Sequence, residues 1–320
     1  MQNKRKHPKV KSKLHPRNKH RYRYDFKELA ESLPELAQFV IINKYGDESI
    51  DFFNPSAVKT LNKAILKHFY NINNWNIPEN YLIPPIPSRA DYIHYISDLL
   101  AIKNNEKIPR GNKIKCLDIG VGANCIYPII GNKEYGWSFI GSDIDLKSLE
   151  SAKNIIKENK LLKNKIEIRL QKDSNKIIEG ILKKDEIIDF TICNPPFHSS
   201  FAEAQKVSLR KLSNLKKKKQ LKPILNFAGN GNELWCIGGE FDFVKRMIYE
   251  SKTYAKSCLI FSTLISKKDN LANLSKLLRN INAYEIKIIK MEQGNKISHI
   301  LTWTFLKNTE QKLHISDRWK

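Results

Sequence analysis

The chain has 320 residues, 41% apolar and 28% charged, the balance of a folded globular protein large enough for one sizeable domain or two modest ones. No apolar run is long enough to cross a bilayer and no apolar segment follows the basic N-terminus, so a cytoplasmic protein without a secretory signal or membrane contact is expected. A formal net charge of +23 would repel itself unless the protein works beside a polyanion.

Ten cations precede the first acid: Lys4, Arg5, Lys6, Lys9, Lys11, Lys13, Arg17, Lys19, Arg21 and Arg23. A block of this kind does not bury a core, so residues 1–24 are expected to form a flexible basic arm that orders on its partner. A solubilising tail is the plain alternative. Acidic lipid is disfavoured because no amphipathic apolar face lies beside the block, which leaves nucleic acid. From Phe26 to about Phe69 apolar residues recur at helical spacing (Leu29, Leu33, Leu36, then Leu61, Ile65, Leu66, Phe69), predicting a small helical region. The segment Ile83-Pro84-Pro85-Ile86-Pro87-Ser88-Arg89 is expected to be extended, because each proline disfavours helix in the residue before it. A helix should follow over about Ala90–Ala101.

After Arg110-Gly111-Asn112 the pattern changes to short apolar strands alternating with amphipathic segments. Strands are predicted at Ile114–Ile119, Trp137–Gly141, Ile166–Leu170, Ile187–Cys193, Ser257–Ser262, Ala283–Lys290 and Ser298–Leu306. Helices are predicted around Leu146–Asn159, Asn175–Leu182 and Phe241–Lys252. The last two strands, joined through Glu292-Gln293-Gly294-Asn295, are placed to form a hairpin. The expected fold is therefore α/β: a mostly parallel seven-stranded sheet with helices on both faces, a C-terminal antiparallel hairpin and a small helical N-terminal region, as in Rossmann-like class I methyltransferases. The basic stretch 199–240, with Lys216 to Lys219 and Lys222, is too long for a passive connection and is expected to be an insertion over the active site. None of the five cysteines (Cys116, Cys125, Cys193, Cys236, Cys258) is paired in a C-x-x-C, so reduced thiols and no metal site are expected.

The first of these strands ends in Leu117-Asp118-Ile119-Gly120-Val121-Gly122-Ala123-Asn124. Glycines there allow a tight turn and close approach of a ligand at the strand's carboxyl end. Cys125 occupies the third glycine position of a nicotinamide fingerprint, and no G-K-[ST] is present, so neither that cofactor nor a P-loop phosphate site fits. The second strand ends in Gly141-Ser142-Asp143-Ile144-Asp145. Asp143 is placed to accept from both hydroxyls of a ribose, and Asp145 to cap the next helix. Asp118, beneath the glycine turn, could meet a cofactor ammonium directly or through water.

The fourth strand runs into Asn194-Pro195-Pro196-Phe197. The prolines fix the backbone and remove two donors, leaving the Pro195 carbonyl free to accept beside the Asn194 side chain. An exocyclic amino group with two N–H bonds needs such a pair of acceptors, and Phe197 offers a face on which a base can stack. The plain alternative is a proline turn that merely ends a strand. A neutral nitrogen attacking a sulfonium methyl needs positioning more than a general base. A base inside a helix cannot reach such a pocket, so the target is single-stranded or flipped out.

Together these motifs resemble the family of ribosomal RNA large subunit methyltransferase F, bacterial relatives of human methyltransferase-like protein 16. The resemblance runs from about Lys19 to Leu306. It rests on Ile83–Arg89 with Asp91-Tyr92-Ile93-His94, on Leu117–Pro128, on Asn194–Ser199, on Glu233-Leu234-Trp235-Cys236-Ile237-Gly238-Gly239-Glu240 and on Ser266-Lys267-Lys268-Asp269-Asn270-Leu271. It implies N6-methylation of one adenine of 23S ribosomal RNA (the family target is adenine 1618), with S-adenosylmethionine as methyl donor. It also implies that Arg89, otherwise readable as a surface ion pair, holds the cofactor carboxylate. Gly120, Asn124, Asp143 and Asn194 match cofactor or substrate positions of the family, and Gln171 and Lys172 lie where it has a mobile loop near the cofactor. Ala123-Asn124 departs from the richer glycine motif of other methyltransferases. His198 is placed either to touch substrate or to serve as a structural histidine.

The expected cofactor set is thus Arg89, Asp118, Gly120, Gly122, Asn124, Asp143, Gln171 and Asn194, with Asn194, Pro195, Pro196 and Phe197 as the catalytic corner. The expected partner of this monomer is 23S rRNA or a partly assembled large ribosomal subunit. The chain divides in this reading into the arm, a helical RNA-binding region over 25–110, and a methyltransferase domain over 111–320. Competing readings are guanine N2 methylation of rRNA, glutamine methylation of a protein, and a non-catalytic RNA-binding assembly factor that keeps a methyltransferase fold.

Overall fold

The computed structural model describes residues 10–200, 202–203, 231–294 and 296–319. Most of the expected 199–240 insertion, including Lys216 to Lys219 and Lys222, lies outside the described residues, as do Lys4, Arg5, Lys6 and Lys9. The described chain opens with α1 (Phe26–Ser32), a small antiparallel ribbon of β1 (Val40–Ile42) and β2 (Glu48–Ile50), and α2 (Pro55–Tyr70). Asn54 caps α2 through bonds from the Ser56 and Ala57 amides, Pro55 takes its first turn, and Asn71 closes it with a positive φ of 54°. Next come α3 (Ile86–Ile102), β3 (Lys115–Ile119), α4 (Ile126–Tyr135), β4 (Ser138–Asp143), α5 (Leu146–Glu158), β5 (Ile166–Leu170) and β6 (Ile188–Cys193). After a single helical turn at Gly231–Leu234 follow α6 (Gly239–Thr253), β7 (Cys258–Ile265), α7 (Lys268–Asn280), β8 (Glu285–Gln293), β9 (Lys296–Thr304) and α8 (Asn308–Arg318).

Seven strands form one sheet in the order β5-β4-β3-β6-β7-β9-β8. The pairs β5–β4, β4–β3, β3–β6 and β6–β7 are parallel, and β9 pairs antiparallel with both β7 and β8. Strands β6 and β7 are buried along their whole length, as a strand covered on both faces must be. Alternate residues face two cores. Cys116, Phe139, Phe190 and Ile192 pack towards α2, α3, α4 and α5. Leu117, Ile140 and Cys193 pack towards α6, α7 and the segment from Ile177 to Leu182. The first core is continuous with Phe26, Leu29, Leu36 and Leu61, so the N-terminal helices share apolar packing with the sheet. At the amino ends of the strands, buried Asp189 accepts from His314, Arg318 and Trp319 and fastens α8 beneath the sheet.

Three expectations are corrected. The segment 175–182 is a series of turns, not a helix. Its amides at Ile177, Ile178 and Glu179 donate to the Glu250 carboxylate on α6, which satisfies them without a helical ladder. The proline crossing is extended only to Pro85, because Ile86 and Pro87 begin α3, where a proline's missing N–H costs nothing.

The third correction concerns the arm, which over residues 10–24 is docked rather than free. Leu14, His15, Asn18 and His20 are buried. Asn18 Nδ2 donates to the Pro87 carbonyl at 2.8 Å and to Asp91 at 2.5 Å, while the His15 amide also donates to Asp91 at 3.0 Å. Arg17 reaches Ser97, Asp98 and the His94 carbonyl, and Lys19 pairs with Glu134 at 2.9 Å. Cations and the polar side chains between them anchor this segment together, by meeting acids and carbonyls of α3 and α4.

His20 makes the docked arm sensitive to acid. Its Nε2 and Nδ1 lie 2.8 and 3.0 Å from the hydroxyls of Tyr70 and Tyr24, and burial pushes its pKa down to about 3, helped by Lys11 and Lys19. A base depressed in the folded state stabilises fully above its unfolded value and progressively less as pH falls from there towards 3. Asp91, pushed up to about 6 by burial, acts in the opposite sense, so the comparison must isolate the imidazole. Between pH 7 and pH 5 the parent should lose up to about 2 kcal/mol more stability than His20→Gln in denaturant titrations. Equal losses would reject this account.

Candidate active site

The parallel register brings four strand ends to one level. Ile119 of β3 is paired with Ser142 of β4 and with Cys193 of β6, and Asp143 with Leu170 of β5. Gly120, Asn194 and Gln171 are each the residue immediately past those pairs, and Asp143 closes β4. The chain crosses from each strand at the same edge, which is where open α/β sheets bind ligands.

The β3 turn is tied to its neighbour by backbone bonds. The amides of Gly120 and Val121 both donate to the Ser142 carbonyl at 2.9 Å. The Gly122 amide donates to Asp143 Oδ2 at 3.0 Å. Gly120 and Gly122 have φ of 78° and 62°, a conformation that L side chains rarely adopt. A Cβ added to Gly120 would meet no protein atom within 4 Å, so the turn leaves room for a ligand to approach its backbone. Asn124 Oδ1 accepts from the Ile126 amide at 3.1 Å and opens α4, while its carbonyl accepts from buried Trp75 Nε1 at 2.9 Å.

A cavity of about 350 Å³ lies over these ends. Of the expected cofactor residues, Arg89, Gly120, Gly122, Asn124, Asp143, Gln171 and Asn194 line it, together with Pro195 and Pro196. Asp118 sits behind the wall, fully buried, and neither carboxylate oxygen has a hydrogen-bond partner among the described residues. Burial drives its pKa well above the carboxylate range, Asp143 adds to the rise, and Arg89 opposes it. Asp143 Oδ1 accepts from the Asp145 amide at 3.0 Å and Oδ2 from Gly122, leaving each oxygen further lone pairs. Burial pushes the Asp143 carboxyl up, and these backbone bonds pull against the rise. Asp145 caps α5 through the amides of Lys147 and Ser148. Gln171 has both ends of its amide committed, donating to the Glu179 carbonyl and accepting from the Asp173 amide, so it shapes the loop after β5.

At the tetrapeptide, the Asn194 amide makes no hydrogen bond with any described residue, and Pro195 is buried. Phe197, expected to offer a stacking face, stands apart from most of the cofactor-site residues. It lines a second, smaller cavity of about 40 Å³, with Arg89, Asn194, Leu264, Met291 and Lys296, and is absent from the wall of the first. Lys296 Nζ stands 5.6 Å from its ring centroid. Arg89 and Asn194 border both cavities and so stand between them. The backbone of His198 pairs with the 234–236 segment, its amide donating to the Leu234 carbonyl and its carbonyl accepting from the Cys236 amide, both at 3.1 Å. The tetrapeptide is thereby tied to one wall of the cavity.

Several residues at this site carried no role in the sequence. Tyr127 accepts from Arg89 at 2.7 Å and fixes the guanidinium at the cavity. Glu233, Trp235, Cys236, Ile237, Phe243 and Arg246 also line the cavity, and Glu233 Oε1 reaches the glycine turn, 3.4 Å from where a Cβ on Gly122 would stand. The block Glu233–Glu240 carried the family resemblance without a role for each residue; the His198 pairing and the Leu82 amide bond to Glu233 at 3.0 Å help bring its first residues to the cavity. The described residues therefore present a buried cation, an unpartnered buried carboxylate, a carboxylate with spare lone pairs and a free carboxamide. That set suits a ligand joining an amino-acid zwitterion to a ribose, next to a second polar group.

Residues 8–307 match the family model described as RNA methyltransferase. The chain is 57% identical to ribosomal RNA large subunit methyltransferase F of Cytophaga hutchinsonii, covering 99% of both chains, and 51% identical to that of Photobacterium profundum, again with 99% of each covered. Among solved structures, it is similar to the human METTL16 catalytic domain in complex with the MAT2A 3'UTR hairpin 1, with a TM-score of 0.76 and 29% identity over 92% of this chain and 96% of that one. The N-terminal domain of human METTL16 in complex with SAH gives a TM-score of 0.72 at 28% identity, over 92% of this chain and 99% of the other. With more than half of its residues identical to such relatives along nearly its whole length, the chain belongs to the ribosomal RNA large subunit methyltransferase F family.

Proposed function

We propose that this large-subunit rRNA methyltransferase transfers the methyl group of S-adenosylmethionine to N6 of one adenine in 23S rRNA, adenine 1618 in the family's numbering. The observation that carries this reading is the uncommitted Asn194 carboxamide, held by two prolines between two cavities. When bound, the cofactor supplies an electrophilic methyl on a sulfonium. In this reading Arg89 meets its carboxylate, the orphaned oxygens of Asp118 accept from its ammonium, and Asp143 accepts from its ribose hydroxyls. Gly120, Gly122 and Asn124 form the turn against which it lies, and Gln171 keeps the loop of its far wall in shape. The complex of the human relative's domain with SAH supports a cofactor of this class.

The adenine would enter from the side of the smaller cavity, beside Phe197. Asn194 Oδ1 and the Pro195 carbonyl would accept the two N–H bonds of its amino group, which aims the nitrogen's lone pair at the methyl. A carbon–nitrogen bond forms as the carbon–sulfur bond breaks, and the surplus proton leaves to water afterwards. No general base is needed before transfer, so rate depends on alignment. RNA contact is assigned to the basic arm and the helical region over 25–110. The human relative's complex with an RNA hairpin supports RNA as the substrate class.

Three measurements test this. Asn194→Ala should lower kcat on the order of 100-fold while leaving the melting temperature near the parent's; near-normal turnover would reject the pose. Asp118→Asn should raise the melting temperature of the ligand-free protein, because an unpartnered buried carboxyl is removed, yet weaken cofactor binding roughly 10- to 100-fold by calorimetry. Unchanged affinity would exclude Asp118 from the ammonium site. Mass spectrometry of nucleosides from 23S rRNA after incubation with labelled cofactor should find the label in N6-methyladenosine. Label in methylguanosine or in protein would favour the other acceptors.

A further inference from the structure

The ladder between the two central strands stops early. β6 and β7 pair at Ile188–Cys258 and Phe190–Ile260 and no further, although both strands continue towards the site. Beyond that point side chains replace the backbone ladder. The Ser262 amide donates to Thr191 Oγ1 at 2.8 Å, and Thr191 Oγ1 donates to the Ser262 carbonyl at 3.2 Å. Leu264 and Ser266 of the β7 side and Asn194 of the β6 side then line the smaller cavity, which opens in the resulting gap.

A tyrosine from α3 closes this arrangement. Tyr92 is fully buried, and its hydroxyl lies 2.8 Å from Ser262 Oγ. Ser262 Oγ in turn donates to the Thr191 carbonyl at 2.5 Å. With that proton committed, the Tyr92 hydroxyl must donate to Ser262. Donors thus run from Tyr92 through Ser262 to the Thr191 carbonyl, and with the two Thr191 Oγ1 bonds to Ser262 they close a loop on β6 three residues short of Asn194. Tyr92 lies one helical turn beyond Arg89 on α3, and its ring meets that of Tyr127, the partner of Arg89, edge-on at 5.5 Å.

We propose that Tyr92 is a positioning residue for methyl transfer. Through α3 it fixes the distance between the arginine that meets the cofactor and the asparagine that meets the acceptor. Without the hydroxyl, α3 loses its link through Ser262 to the Thr191 carbonyl, and the β7 side of the β6 end that carries Asn194 can shift relative to Arg89. The inference rests on the reading of Asn194 as the holder of the acceptor amino group. It adds that the alignment is imposed by a buried hydroxyl that touches neither ligand.

The test measures single-turnover rate, cofactor affinity and RNA affinity in Tyr92→Phe, with Ser262→Ala as a second route to the same loop if the first variant does not fold. Both should lower the transfer rate about 10- to 100-fold, since a misplacement of about 1 Å can cost this much, while both affinities stay within about threefold of the parent. Thr191→Ser keeps the hydroxyl and should retain the parent rate, whereas Thr191→Val should behave like Tyr92→Phe. Ser251→Ala, which removes a buried hydroxyl bonded to Trp303 elsewhere in the fold, controls for general loosening and should leave the rate unchanged. A Tyr92→Phe rate within twofold of the parent would overturn the proposal, and so would an equal rate loss in Ser251→Ala. If Asn194→Ala also retains activity, the failure lies with the proposed acceptor pose. If Asn194→Ala is inactive and Tyr92→Phe is normal, the positioning role alone fails.

Discussion

The register of four parallel strands is the constraint on which the site depends. Ile119 is level with Ser142 and Cys193, and Asp143 with Leu170, so the turns after β3, β4, β5 and β6 leave the sheet side by side. Each turn carries a different chemical group: a glycine backbone, a carboxylate, an amide that holds a loop, and a free carboxamide. A shift of one residue in any of these pairings would turn its group to the opposite face and remove it from the cavity. The fit of β3 and β6 between two apolar cores opposes such a shift, because it would move Leu117 or Phe190 out of the core it fills. Packing of the sheet and placement of the site are therefore one requirement.

Helix α3 applies the same rigidity across the sheet edge. Its first turn carries Arg89, its second Tyr92, and its buried face lies against both the core and the arm. The arm bonds to the Pro87 carbonyl and to Asp91, on either side of Arg89. A segment that composition assigns to solvent is thus part of the support of the cofactor side. The cations of that segment are divided between two uses. Arg17 and Lys19 are spent on Asp98 and Glu134, so the excess of positive charge available to RNA is smaller than the sequence count implies.

Much of this was legible in the residues. Period-two and near-continuous apolar runs marked all seven strands of the sheet to within a few residues, because a covered strand must be apolar on both faces. The glycine turn, Asp143 and the Asn194-Pro195-Pro196 corner were legible because their chemistry requires particular residue types at a strand end. The turns at 175–182 were not, since their amides are satisfied by Glu250, some 70 positions away in the chain. Nor was the wall formed by Glu233 and Trp235, whose segment is brought to the cavity by its backbone pairing with His198 and by the Leu82 amide bond to Glu233. Phe197 was read as a stacking face for a base, but sequence order does not say on which side of the proline corner the ring falls, and the structure places it at the smaller cavity.

What the sequence by itself determined is the identity of the groups and the sheet that presents them, both of which follow from local preference and periodicity. What only the tertiary structure decided is how those groups are held. Asp118 has no hydrogen-bond partner among the described residues, Arg89 is pinned by Tyr127, and the β6–β7 ladder ends early so that Tyr92 and Ser262 take over. Each of these depends on atoms far apart in the chain meeting within hydrogen-bond distance, and a one-dimensional pattern contains no term for that meeting.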